Sequence, residues 1–137
     1  MMKITLEAVI GNIPVVTAQV DEALEALDAS PKARMQIDVA IDEIFGNIAR
    51  YAYVPGAGEA TVRLEYDAAS GTAVLTFIDR GVPFNPLERS SPDTTLPVEK
   101  RQIGGLGIFL VRRTMDAMEY RREDGQNILT LRKRIRA

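Results

Sequence analysis

Three glycines stand at the front of a helical pattern in the stretch Ile103-Gly104-Gly105-Leu106-Gly107-Ile108-Phe109-Leu110. Few folds have a use for that arrangement. Leu106, Leu110, Val111, Met115 and Met118 recur at helical spacing, which predicts a helix from Leu106 to about Met115. Glycine is a poor helix former, so its crowding at this point asks for a reason. A helix start has free N–H groups and the positive end of the helix dipole, and missing Cβ atoms let an anion reach the backbone. One reading is therefore a phosphate site. The other is a flexible loop that happens to end in a helix, since short glycine motifs match by chance. What the rest of the chain brings to this stretch decides between them.

Composition narrows the chemistry. At 137 residues and 46% apolar, the chain is expected to be one domain, residues 1–137, with a real core. It has no cysteine in its composition and no histidine, so thiolate or imidazole metal sites and His-based triads are excluded. Acid–base work falls to carboxylates, Lys, Tyr or hydroxyls. Seventeen basic against nineteen acidic residues give a net charge of −2, which argues against binding nucleic acid by phosphate neutralisation. Glu7 interrupts any signal-peptide pattern, and no apolar run approaches the roughly 20 residues that span a bilayer. The expectation is a cytoplasmic protein.

Along the chain, Met2 to Ile10 alternates as a half-buried strand, with Ile4, Leu6 and Ala8 on one face, and suits a sheet edge. Asn12 as cap and Pro14 open a first helix that runs to about Asp28. Ser30-Pro31 opens a second, running to about Ala52, with a core stripe of Ile37, Ile41, Ile44, Ile48 and Tyr51. Beside that stripe lie Glu43, Asn47 and Arg50, at the shoulder of the apolar face, where such residues either border a cleft or, as the trio alone would suggest, form a solvated Glu–Asn pair. Ala60 to Tyr66 and Ala73 to Ile78 form a hairpin, the latter more apolar and central. The second strand ends in Asp79-Arg80-Gly81-Val82-Pro83-Phe84-Asn85-Pro86, where a carboxylate before a glycine turn either reads a ligand or simply caps the turn. Leu87 to Gln102 is a long aperiodic loop suited to a lid. After the glycine-led helix, Met118 to Arg122 and Ile128 to Ile135 make two more strands, Thr130 alternating against Leu129 and Leu131. The order β-α-α-β-β-loop-α-β-β gives an α+β fold, a two-layer sandwich with a mixed, mostly antiparallel sheet and its helices on one face.

Glu43-Ile44-Phe45-Gly46-Asn47, Asp79-Arg80-Gly81-Val82-Pro83-Phe84 and Gly104-Gly105-Leu106-Gly107-Ile108 follow one another in this order on these elements. Together they resemble the E-x-x-x-N helix and the two glycine boxes of the Bergerat (GHKL) ATP-binding fold shared by gyrase, histidine kinases, MutL and the heat-shock chaperone ATPase. Nearly the whole chain is similar to the small stand-alone anti-sigma-factor serine/threonine kinases of that superfamily. The stretch Gly125 to Thr130 lies where that family has its closing strand.

The resemblance implies ATP and Mg²⁺ as cofactors and a transferase activity. The kinase would bind a sigma factor and phosphorylate a STAS-type anti-anti-sigma protein, as a homodimer. The alternative it leaves open is a non-catalytic adaptor that regulates a partner through nucleotide-dependent lid ordering. It implies Asp79 as acceptor for the adenine amine, with Gly81 allowing approach and Thr130 touching the same edge through water. It implies Asn47 as the Mg²⁺ ligand, Arg50 as a balance for phosphate charge and Glu43 as catalytic base. The backbone from Gly104 through Gly105, Leu106 and Gly107 to Ile108 would hold the phosphates. Either Lys100 or Arg101 would be the basic residue ahead of the second glycine box.

Overall fold

The longest helix begins where Ser30 and Pro31 predict it: Ser30 Oγ accepts the Ala33 N–H at 3.1 Å and Pro31 fills the first turn. This is α2 (Pro31–Asn47), seen in a computed structural model that describes residues 1–88 and 105–136. Around it run β1 (Met2–Glu7), α1 (Ile13–Ala26), β2 (Glu59–Asp67), β3 (Thr72–Asp79), α3 (Gly105–Thr114), β4 (Ala117–Glu123) and β5 (Gln126–Arg134). Residues 89–102 of the sequence-predicted lid, Lys100 and Arg101 among them, and Gly104 lie outside the described residues.

The five strands form one sheet in the order β1-β2-β3-β5-β4. Where the sequence reading allowed a mixed sheet, all four pairings are antiparallel. As expected, β1 is an edge and β3 is central. The helices cover one face. Val16, Val20 and Leu24 of α1 and Ile37, Ile41 and Phe45 of α2 are fully buried over Val62, Leu64, Phe77 and Leu131 of the sheet. The other face carries alternating polar side chains and ion pairs such as Arg132–Glu119. No described helix is long and apolar enough to cross a membrane.

Four local details depart from the sequence reading. First, β1 stops at Glu7, because a 3-10 turn, Ile10–Asn12, leads directly into α1. Second, Asn12 is therefore already helical in backbone. Its side chain caps nothing and instead donates from Nδ2 to the Glu7 carbonyl at 2.8 Å, closing off the strand. Third, the buried stripe of α3 is Ile108 and Val111, with Met115 buried just beyond its end, while Leu110 is 52% exposed. Fourth, α2 does not continue to Ala52 as an α-helix but widens into a π turn, Ile48–Ala52. A π turn advances less than 100° per residue, so side chains beyond Asn47 lag behind the α-helical phase. Tyr51, expected in the core stripe, is 45% exposed and lines a cleft.

Between α1 and α2, Asp21 and Asp38 face each other, and Oδ1 of each is buried without a hydrogen-bond partner. Burial first, and the adjacent Asp21 second, push the Asp38 carboxyl up to about 7 from an ordinary 3.8, while Arg34 pulls the other way. The folded state thus binds a proton between pH 4 and 7 that the unfolded chain does not. Stability from this pair is fully present near pH 4 and is lost as pH rises through 7. Asp38→Asn is expected to raise Tm at pH 8 by about 3–6 °C and to change it little at pH 4.5, flattening the pH dependence of thermal melts. Equal Tm shifts at both pH values would remove the raised Asp38 carboxyl from the account.

Candidate functional site

The cleft lies between the end of α2 with its π turn, the β3–β5 floor and the segment after β3. It encloses about 610 Å³ of empty space, its open mouth included. Its walls are apolar: Ile44, Ile48, Ala52, Phe77, Phe84, Ile108 and Leu129 among others. Three buried polar residues face into this apolar surround, Asn47, Asp79 and Asn127.

Asp79 ends β3, opposite Asn127 of β5 in the strand register. Alternation along β3 turns Phe77 and Asp79 to the helix side, so the carboxylate is carried into the cleft and is 6% exposed. Its Oδ1 accepts two N–H groups at 2.9 Å, from Gly81 and from Asn127 Nδ2. The turn that follows is tied on every side. Tyr53 donates from its hydroxyl to the Glu59 carbonyl at 2.6 Å, and the same oxygen accepts the Arg80 N–H at 2.7 Å. The Val82 N–H donates to the Ala52 carbonyl at 2.9 Å, and Arg122 Nη1 donates to the Gly81 carbonyl at 2.8 Å. Gly81 is required by the close approach of the π turn: a Cβ there would stand 2.3 Å from the Ala52 carbonyl oxygen.

At the other end of the cleft, Asn47 is 9% exposed and its Nδ2 makes a long contact, 3.4 Å, to Glu43 Oε1. The half-buried Glu43 carboxylate packs on the first turn of α3, where a Cβ on Gly107 would be 2.0 Å from Glu43 Cδ. The absent side chain at Gly107 is what lets a carboxylate rest on a helix start. Among the described residues, no group of three or more Asp and Glu could hold a metal ion on its own.

The structure thus brings together Asn47, Asp79 and Ile108 around one cleft, with Gly81 in the turn at its floor and Glu43 against Gly107 beside it. Gly105 begins α3 and Leu106 follows it in the helix backbone. Two predicted residues stand elsewhere. Arg50 is exposed and folds back over Gly46, its Nη1 3.2 Å from where a Cβ there would lie, because the π turn rotates it off the Glu43–Asn47 face. Thr130 points to the outer face of the sheet beside Thr76 and Glu119, its register partners. The residue that sequence reasoning missed is Asn127, which occupies the position beside Asp79 that Thr130 was expected to reach. Its signal was a polar residue in phase with Leu129 and Leu131 on the inward face.

The chain belongs to the family of histidine kinase-like ATPase domains, whose profile matches residues 6–133. Among curated relatives, the serine/threonine-protein kinase BtrW of Bordetella bronchiseptica is 32% identical over 102 residues, covering 74% of this chain and 71% of that protein. The serine-protein kinase RsbW of Bacillus cereus is 32% identical over 95 residues, covering 66% of this chain and 58% of that protein. In structure, the chain is similar to the RsbU and RsbW domains of a Mycobacterium tuberculosis protein, with a TM-score of 0.64 at 18% identity. That match covers 98% of this chain and 33% of the other. The histidine kinase domain of an Erythrobacter litoralis blue-light activated kinase gives a TM-score of 0.51 at 12% identity, over 90% of this chain and 61% of that one. The chain therefore spans less than two thirds of the Bacillus relative, and of both structures, that it matches.

Proposed function

We propose that the protein is an ATP- and Mg²⁺-dependent serine/threonine protein kinase acting as an anti-sigma regulator, which binds a sigma factor and phosphorylates a STAS-type anti-anti-sigma protein. One observation carries this reading: a buried carboxylate, Asp79, at the floor of an apolar cleft whose other end is a glycine-led helix start. The kinase names of the BtrW and RsbW relatives support it. Asp79 accepts a hydrogen bond from the adenine amine, worth roughly 1.5–3 kcal/mol for a charged acceptor. Ile48, Val82 and Phe84 hold the base, and the backbone N–H groups around Gly105 to Ile108 take the phosphates.

The residues fit a hard cation: the Asn47 amide nitrogen is turned to Glu43, which leaves its amide oxygen as the donor for Mg²⁺. The bound ion neutralises phosphate charge. In the transfer step, the acceptor hydroxyl oxygen bonds to the γ-phosphorus while the bond from that phosphorus to the bridging oxygen breaks. ADP leaves, and the hydroxyl proton passes to the Glu43 carboxylate. The sheet edge at β1 supports the homodimer in this reading, and a cytoplasmic location belongs to the same proposal.

The test is calorimetric titration of Mg²⁺–ATP into the wild type and Asp79→Asn, followed by phosphate transfer from ATP to purified STAS candidates. The wild type is expected to bind and the variant to lose at least about tenfold, or 1.4 kcal/mol. A wild type that binds no adenine nucleotide ends the ATP reading. Tight ATP binding without transfer to any cognate partner ends the kinase reading and leaves the non-catalytic adaptor.

A further inference from the structure

We propose that Asn127 is the positioning residue that sets purine selectivity in this cleft, by fixing Asp79 so that its second carboxylate oxygen meets the base. The inference rests on the adenine-nucleotide reading above and adds a residue to it. Asn127 is 5% exposed, and all four of its amide hydrogen-bonding positions are filled. Nδ2 donates to Asp79 Oδ1 at 2.9 Å and to the Val82 carbonyl at 2.8 Å. Oδ1 accepts the Phe84 N–H at 3.3 Å and the Tyr120 hydroxyl. The opposite amide orientation would set oxygen against two acceptors, Asp79 Oδ1 and the Val82 carbonyl, and nitrogen against the Phe84 N–H, so the surroundings favour the orientation seen.

The consequence falls on Asp79. Its Oδ1 already holds two N–H donors, from Asn127 and from Gly81, and the carboxylate cannot rotate without breaking both. Oδ2 is the oxygen left for a ligand. It offers acceptance only, which suits a 6-amino purine, gains nothing from a purine with no substituent at that position and opposes a 6-oxo purine. A polar site of this kind discriminates because an unmatched buried group is left unpaired. Asn127 also holds Val82 and Phe84, so the same amide sets the cleft wall beside the base. Tyr120, reaching across from β4, sets Asn127 in turn.

The test is calorimetric titration of ATP, purine riboside triphosphate and inosine triphosphate, each with Mg²⁺, into the wild type, Asn127→Leu and Tyr120→Phe. The wild type is expected to favour ATP over both analogues by about 10- to 100-fold. In Asn127→Leu the preference is expected to collapse to about threefold or less, because ATP loses more affinity than purine riboside triphosphate does when the released cleft wall weakens both. Tyr120→Phe, which keeps the ring, is expected to lower the preference by about threefold. A folded Asn127→Leu with an unchanged preference, or with ATP and purine riboside triphosphate weakened equally, overturns the assignment and leaves Asn127 a purely structural residue. If Asn127→Leu does not fold, an unchanged preference in Tyr120→Phe overturns it. A wild type that binds ATP and purine riboside triphosphate equally overturns this inference alone. One that binds no nucleotide overturns the ATP reading beneath it.

Discussion

Glu43→Gln is expected to slow phosphoryl transfer from ATP to a protein hydroxyl by about 10²–10⁴-fold while ATP still binds. Glutamine keeps the length and the packing on α3 that Gly107 permits, and it keeps an oxygen for Asn47 Nδ2. What it loses is the ability to take a proton. Positioning and the electrostatics of the helix start remain, so a residual rate is expected. Single-turnover transfer measured beside ATP affinity separates the two effects. A transfer rate within about threefold of wild type would remove Glu43 from the base role, since general-base help is worth far more than that.

The second large effect is expected at Gly81. In Gly81→Ala the new methyl meets the Ala52 carbonyl oxygen and carbon, which are backbone atoms, at 2.3 and 2.6 Å. Neither atom can swing aside as a side-chain end would. The turn must move, and with it go the Val82–Ala52 hydrogen bond and the Gly81 N–H that holds Asp79 Oδ1. A loss of about 2–4 kcal/mol in stability is expected, with a Tm drop of roughly 6–15 °C. ATP affinity is expected to fall by about 30-fold or more as the carboxylate loses its fixed direction. Melting curves and titration on the same preparation check both. An unchanged Tm would mean that the π turn yields more readily than its packing implies.

Much of this arrangement was legible because it is local. The Ser30-Pro31 start, the alternation of β2 and the apolar run of β3 are read from neighbours a few residues apart. The same holds for the spacing of Glu43 and Asn47 and for the carboxylate at the end of β3. What the sequence hid depends on phase or on register. The π turn after Asn47 carries Arg50 away from Glu43 and brings Tyr51 to the cleft, and no residue pattern there announces a wider turn. Asn127 meets Asp79 across a gap of 48 residues, through strand pairing that periodicity alone does not assign. Thr130 was the avoidable error. It alternates with Leu129 and Leu131, so the face that buries those leucines is the one it cannot share. Asp21 and Asp38 come from different helices, and their opposition follows only from how α1 packs on α2.

The sheet order β1-β2-β3-β5-β4 has a consequence for how the protein is made. The strand between β3 and β4 is the last of the five to be synthesised. Until β5 has emerged from the ribosome, β3 has an open, apolar edge and Asp79 lacks the amide that holds it. During that interval the nascent chain can stack its helices on β1–β3, yet its nucleotide cleft has no floor on one side and its unpaired edge is open to wrong partners. Competence to bind therefore arrives late and in one event, when a single strand slides into place and Asn127 meets Asp79.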